Sequence, residues 1–214
     1  MVDPKRMICK ICLLFLLSLI EYSFASDNFK FHEPVKISKD IKIDGYLNKN
    51  EWPDCQSIRD FIQVEPDMLG SPTEETSVKI LYNDKYIYFG VVLYQNKNTI
   101  SYKMGEYDDF MNVFEKSSDY FVIELDTQNN HDSSYGFAIN ASNIRSDYMV
   151  YGDEEGEVDD YWNATWESAV VITDYGWVLE IAIPLSELRF PDQSNQDWGL
   201  NFGRSMPDLD DQGY

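Results

Sequence analysis

Four carboxylates, Glu124, Asp126, Glu167 and Glu180, sit inside segments that read as strands. Two carboxylates about 5–10 Å apart, flanking one bond, are the machinery of glycosidic hydrolysis. A chain with 38 Asp and Glu offers many such pairs, and no acid–base signature marks one of them, so no catalytic residue is assigned. Trp162 and Trp166 are four residues apart in an extended run, which puts both rings on one face, an arrangement suited to stacking against a flat ligand. Trp52 follows Glu51 after a turn and Trp177 sits inside a strand; both read as core, since tryptophan is highly buried on average. His32 and His131 have no nitrogen or sulfur partner at a spacing that suits haem or zinc. Asp153, Glu155, Asp159 and Asp160 supply oxygens of the kind that hold a structural calcium, and the same composition describes a solvated loop.

The front of the chain is separate from this chemistry. Lys5, Arg6 and Lys10 precede an apolar run from Ile11 to Ile20, too short to span a bilayer comfortably, and Ser23-Phe24-Ala25 offers small residues for cleavage. This is the layout of a secretory signal peptide over residues 1–25, and it predicts export to the periplasm, outer membrane or cell exterior. Cys9 and Cys12 fall within it, so their C-x-x-C spacing is no redox motif, and Cys55 is left alone and reads as a small buried hydrophobe, not a nucleophile. With 17 Lys and Arg against 38 Asp and Glu, the net charge is −21, and losing the basic leader makes it more acidic still. Such a surface repels nucleic acid and anionic lipid.

The segments that must position these side chains are short and extended. Residues 176–190, GWVLEIAIPLSELRF, place Trp177, Leu179, Ile181 and Ile183 on one side and Val178, Glu180 and Ala182 on the other. That is a strand with one face on a core, stopped at Pro184 for want of an N–H. Glu180 needs a partner there, and Arg189 or Arg204 is positioned to neutralise it or Glu124. Further strands are expected at Lys36–Ile43, Thr76–Tyr82, Tyr86–Tyr94, Asp119–Asp126, Tyr135–Asn140, Arg145–Tyr151, Thr165–Thr173 and Trp198–Arg204. Tyr86–Tyr94 is apolar on both faces and so central. Helical turns fit only Asn48–Trp52, 101–116 and Ser186–Leu188. Nine to ten short strands predict an all-β, two-sheet antiparallel β-sandwich, jelly-roll or immunoglobulin-like, over residues 29–206. Residues 207–214 read as a polar tail or truncated end without strand character.

Several segments in order carry a resemblance: IDGYLNKNEW (43–52), DFIQVEP (60–66), TSVKILYNDKYIYFGVVLY (76–94), DYFVIELD, YGFAIN, WNATWE (162–167), GWVLEIAIPLSELRF and WGLNFGR. Together they resemble the family 9 carbohydrate-binding module (DOMON-like). More closely, they resemble its version at the front of bacterial envelope proteins that continue into an outer-membrane-type β-barrel. The resemblance implies a sugar-binding sandwich without enzymatic activity, linked to carbohydrate catabolism. A pyranose offers an apolar C–H face to an aromatic ring and hydroxyls to polar groups. One clamp ring is expected from the loop before DYFVIELD, where Phe114 and Tyr107 are the candidates. The second is expected beyond WGLNFGR, where Tyr214 is the only aromatic. Trp162 and Trp166 join them as stacking candidates, with Asn140 and Asp126 as polar supports at the rim. Sugar-binding members carry a carboxylate where Val122 stands and an arginine where Ala138 stands.

The expectation is thus an exported, non-catalytic glycan-binding module needing no cofactor, with any calcium structural. The alternative is a plug-like interaction domain of an outer-membrane barrel that binds no sugar. The barrel region is not in this sequence, as expected of a partial reading frame.

Overall fold

A computed structural model describes residues 30–66, 68–101, 118–152 and 157–207, and the backbone of 211–213. The described strands lie in the unit Pro34–Tyr214. One sheet contains β1 (Val35–Lys36), β3 (Thr76–Tyr82), β4 (Tyr86–Tyr94), β10 (Gly176–Pro184) and β9 (Glu167–Thr173), in that order. The other runs β2 (Gln63–Glu65), β12 (Asp211–Gly213), β11 (Gly199–Met206), β5 (Tyr120–Asp126), β6 (Ser133–Asn140), β7 (Arg145–Tyr151) and β8 (Glu157–Asp159). Among the described residues every strand pairing is antiparallel except β1 with β3. The two-sheet β-sandwich is therefore the fold.

Local chemistry fixes the hairpins. Asn83 Oδ1 accepts from the N–H groups of Lys85 and Tyr86 at 2.8 and 2.9 Å, turning β3 into β4. Between β9 and β10, Gly176 has φ +139°, and a Cβ there would lie 2.0 Å from the Leu93 carbonyl oxygen, so only glycine fits. The inner faces meet in one core, where Phe202 of β11 stacks on Phe121 of β5 at 5.7 Å and meets Phe89 of β4 edge-on at 6.1 Å. β4 is central, as its two apolar faces predict.

Three expectations change. Lys36–Ile43 is a strand only at Val35–Lys36; from Ile37 the chain leaves the sheet, and Ile41, Leu47 and Trp52 pack onto Leu81, Tyr88 and Ala182. The apolar residues of this segment cover the outer face of the five-stranded sheet instead of joining it. For that reason β10 is buried on both faces, not on one. The polar tail contains β12, inserted between β2 and β11. Its backbone is paired on both sides, so the strand needs no hydrophobic alternation to form.

Candidate functional site

The outer faces of the two sheets differ. On the five-stranded sheet the 37–55 segment covers Glu180, which is 0 % exposed. Trp52 Nε1 donates to Glu180 Oε1 at 2.7 Å, and the backbone N–H groups of Asp44 and Gly45 donate to Oε2 at 2.7 and 2.6 Å. Burial pushes its carboxyl above the usual carboxylate range, against the opposing pull of these three N–H donors.

On the seven-stranded sheet, register brings one polar row across four strands. Asn201 of β11 faces Glu124 of β5, Glu124 faces Gly136 of β6, and Gly136 faces Tyr148 of β7. The absence of a side chain at Gly136 lets the Tyr148 ring lie across β6: a Cβ there would sit 2.2 Å from the ring. Tyr148 Oη then donates to Glu124 Oε1 at 3.1 Å, and Asn201 Nδ2 donates to Oε2 at 3.3 Å. The neighbouring row, Gly203, Val122, Ala138 and Ser146, is small, with Val122 and Ala138 packed in an apolar cluster with Tyr148.

Between these rows lies a cavity of about 100 Å³, lined by Tyr120, Val122, Glu124, Tyr148, Asn201, Gly203 and Arg204, whose guanidinium is turned to the other sheet and bonds Glu75, Thr76, Tyr94 and Gln95. That is room for a few waters. Glu124 and Tyr120 are half-buried and Asn201 exposed. The cavity thus offers carboxylate, amide and phenol groups beside tyrosine rings, the donors and acceptors a polyol needs. A wider hollow of about 380 Å³ beside the β3–β4 turn is lined by Asp84, Lys85, Tyr86, Pro184, Leu185 and Ser186. Its charges are engaged in the exposed pairs Lys36–Asp84 and Lys85–Asp40, and no polar row converges on it.

Those residues chosen from sequence that are among the described ones lie elsewhere. Trp166 is 4 % exposed; its Nε1 donates to Asp147 Oδ1 at 3.0 Å and the Arg145 guanidinium lies 5.0 Å from its ring. Trp162 is half-buried against Tyr135 at 5.0 Å. Both tryptophans meet Phe137 edge-on, at 5.2 and 5.8 Å, so the face they share is turned to the core. Asn140, 3 % exposed, accepts from the N–H groups of Ser142 and Ile144, which builds the β6–β7 turn. Asp126, 9 % exposed, accepts from the N–H groups of Gln128 and His131 in the β5–β6 turn.

Asp159 accepts from the Tyr161 N–H, and Asp160 is exposed. Tyr107, Phe114, Asp153, Glu155 and Tyr214 lie outside the described residues. Among the described residues, no three His, Cys, Asp or Glu side chains group as a metal site.

The arginine partners also change. Glu180 is held by an indole and two backbone N–H groups, and Glu124 by Tyr148 and Asn201. Arg204 instead crosses between the sheets. Its Nη1 donates to the Glu75 carbonyl and Thr76 Oγ1, and its Nη2 to the Tyr94 carbonyl and Gln95 Oε1, all at 2.9–3.0 Å. Arg189 is tied through its backbone to Thr127, Gln128 and Tyr135.

Residues 43–213 match the family model described as carbohydrate family 9 binding domain-like. Among solved structures, the fold is similar to a family 9 carbohydrate binding module from Caldicellulosiruptor kristjanssonii in complex with cellotriose. That pair shares 15 % identity at a TM-score of 0.55, over 79 % of this chain and 74 % of the other. The glucose complex of a family 9 module from that organism gives 15 % identity and a TM-score of 0.54, over 80 % and 78 %. A carbohydrate-binding candidate from Bacteroides uniformis gives 12 % and 0.53, over 85 % and 87 %. No curated protein matches significantly. At these identities the likeness to the solved structures is one of fold.

Proposed function

This chain belongs to the carbohydrate family 9 binding domain-like family, and we propose that it binds glycan without chemistry on the outer face of the seven-stranded sheet. The observation that carries the reading is the row Asn201–Glu124–Gly136–Tyr148 beside a part-open cavity. Hydroxyls of one sugar edge take the place of water on Glu124, Asn201 and the tyrosine hydroxyl, while a C–H face rests on a tyrosine ring. Binding needs no cofactor, and the structural neighbours bound to cellotriose and glucose support a sugar as ligand class.

Calorimetry against a panel of soluble oligosaccharides tests this. At least one gluco- or xylo-configured oligomer binds the wild type, and Tyr148→Phe with Asn201→Ala weakens it by roughly tenfold or more. Undiminished affinity in that double variant moves the site elsewhere.

We also propose export, on the basic front end, the Ile11–Ile20 apolar run and Ser23-Phe24-Ala25. A role in glycan capture before catabolism follows from that location. One feature favours the plug-like reading: Val122 and Ala138 put apolar side chains where sugar-binding relatives are expected to carry a carboxylate and an arginine. Failure of every glycan to bind selects that reading.

A further inference from the structure

The hydrogen bonds that Glu124 accepts both come from neutral groups, a phenol and an amide. Neither compensates its charge, the Arg204 guanidinium being spent on Glu75, Thr76, Tyr94 and Gln95 although that residue lines the cavity, and each carboxylate oxygen keeps a lone pair for another donor. A half-buried carboxylate in such surroundings has lost hydration without gaining a counter-ion, and a cation restores the balance through a charge-assisted hydrogen bond. The rings of Tyr120 and Tyr148 line the same cavity, and tyrosine faces attract cations. The whole chain carries −21, a field that draws positive ligands and that recognition of a neutral sugar leaves without a role.

We propose that this cavity selects glycans bearing a free amino group, with the ammonium of an unacetylated hexosamine on Glu124 and the ring's C–H face against Tyr120. The inference rests on the glycan-binding reading of the same site. It further requires that uronic acids and sulfated sugars are rejected, because they bring a second negative charge to Glu124. N-acetylation removes the cation and enlarges the group, so the acetylated counterpart is disfavoured twice in a cavity of about 100 Å³.

The test titrates short glucosamine oligomers, their N-acetylated counterparts and glucose oligomers of equal length, by calorimetry at low and high salt. The wild type binds the amino oligomer roughly tenfold tighter than either other at low salt, with the margin narrowing as salt rises. Glu124→Gln keeps an oxygen to accept from Tyr148 and removes only the charge; it levels the amino oligomer with the glucose oligomer. Glu157→Gln, on the exposed edge strand β8, controls for overall charge and leaves the preference intact. Equal or tighter binding of glucose oligomers by the wild type overturns the inference while leaving the glycan-binding reading standing. An equal loss in both glutamate variants also overturns it, since the effect is then one of net charge. Binding of no oligomer at all overturns the glycan-binding reading with it.

Discussion

In the five-stranded sheet Glu180 pairs across to Gly90, and Trp52 lies over that glycine to donate to the carboxylate at 2.7 Å. In the seven-stranded sheet Glu124 pairs across to Gly136, and Tyr148 lies over that glycine to donate at 3.1 Å. A Cβ on Gly90 would meet the Trp52 ring at 2.7 Å, and one on Gly136 the Tyr148 ring at 2.2 Å. The device is the same in both sheets: a strand-centre glutamate, a glycine beside it, and an aromatic bridging over. The difference lies in the remaining donors. Glu180 receives two backbone N–H groups from the covering segment and is closed off, whereas Glu124 receives one exposed amide and faces a cavity. One carboxylate is structural and the other keeps capacity for a ligand, and the cover on the face decides which.

Removing the glutamates separates them most sharply. Glu180→Ala orphans an indole N–H and two backbone N–H groups inside the protein and costs about 3–5 kcal/mol, read from denaturant unfolding. A loss under about 1 kcal/mol in that experiment means water satisfies the three donors, and the contrast between the sheets weakens. The glycines come next. Gly90→Ala and Gly136→Ala each displace a ring, at about 1–3 kcal/mol, but only Gly136→Ala also lowers glycan affinity. If both variants bind alike, the Tyr148 bridge has no part in recognition.

The smallest effect is a pH dependence. Burial makes the folded protein hold the Glu180 proton more tightly than the unfolded chain does. The resulting stabilisation is full below the ordinary glutamate value, about pH 4.3, and is lost as pH rises through the raised folded value. The stability of wild type relative to the non-titrating Glu180→Gln therefore falls as pH rises from about 4. A gap that stays flat or widens shows the N–H donors outweighing burial.

Three strands were legible over their full bounds: Thr76–Tyr82 from its alternation, Tyr86–Tyr94 from its continuous apolar run, and Arg145–Tyr151. Gln63–Glu65, Glu157–Asp159 and Asp211–Gly213 were not, because three residues carry no period. That Glu180 needed partners was readable from its apolar neighbours, but the pattern pointed to arginines. Backbone N–H groups of residues 136 and 135 positions away leave no mark in side-chain pattern. The Glu124 site was hidden for a related reason. Asn201, Gly136 and Tyr148 become neighbours only through the register of four strands, while Asn140 and Asp126, polar at strand ends, attracted attention and serve turns.

The insertion of β12 bears on how the protein is made. Gln212 pairs with Glu65, and Arg204 to Met206 pair with the same three-residue strand from its other side, so β2 has no place in the sheet until β12 arrives. Vectorial synthesis delivers Gln63–Glu65 well before Asp211–Gly213, which leaves this rim of the sandwich open until the nascent chain has emerged that far. Closure is then a late, long-range event, and the interval before it is when the chain is most readily threaded, bound by chaperones or lost to aggregation.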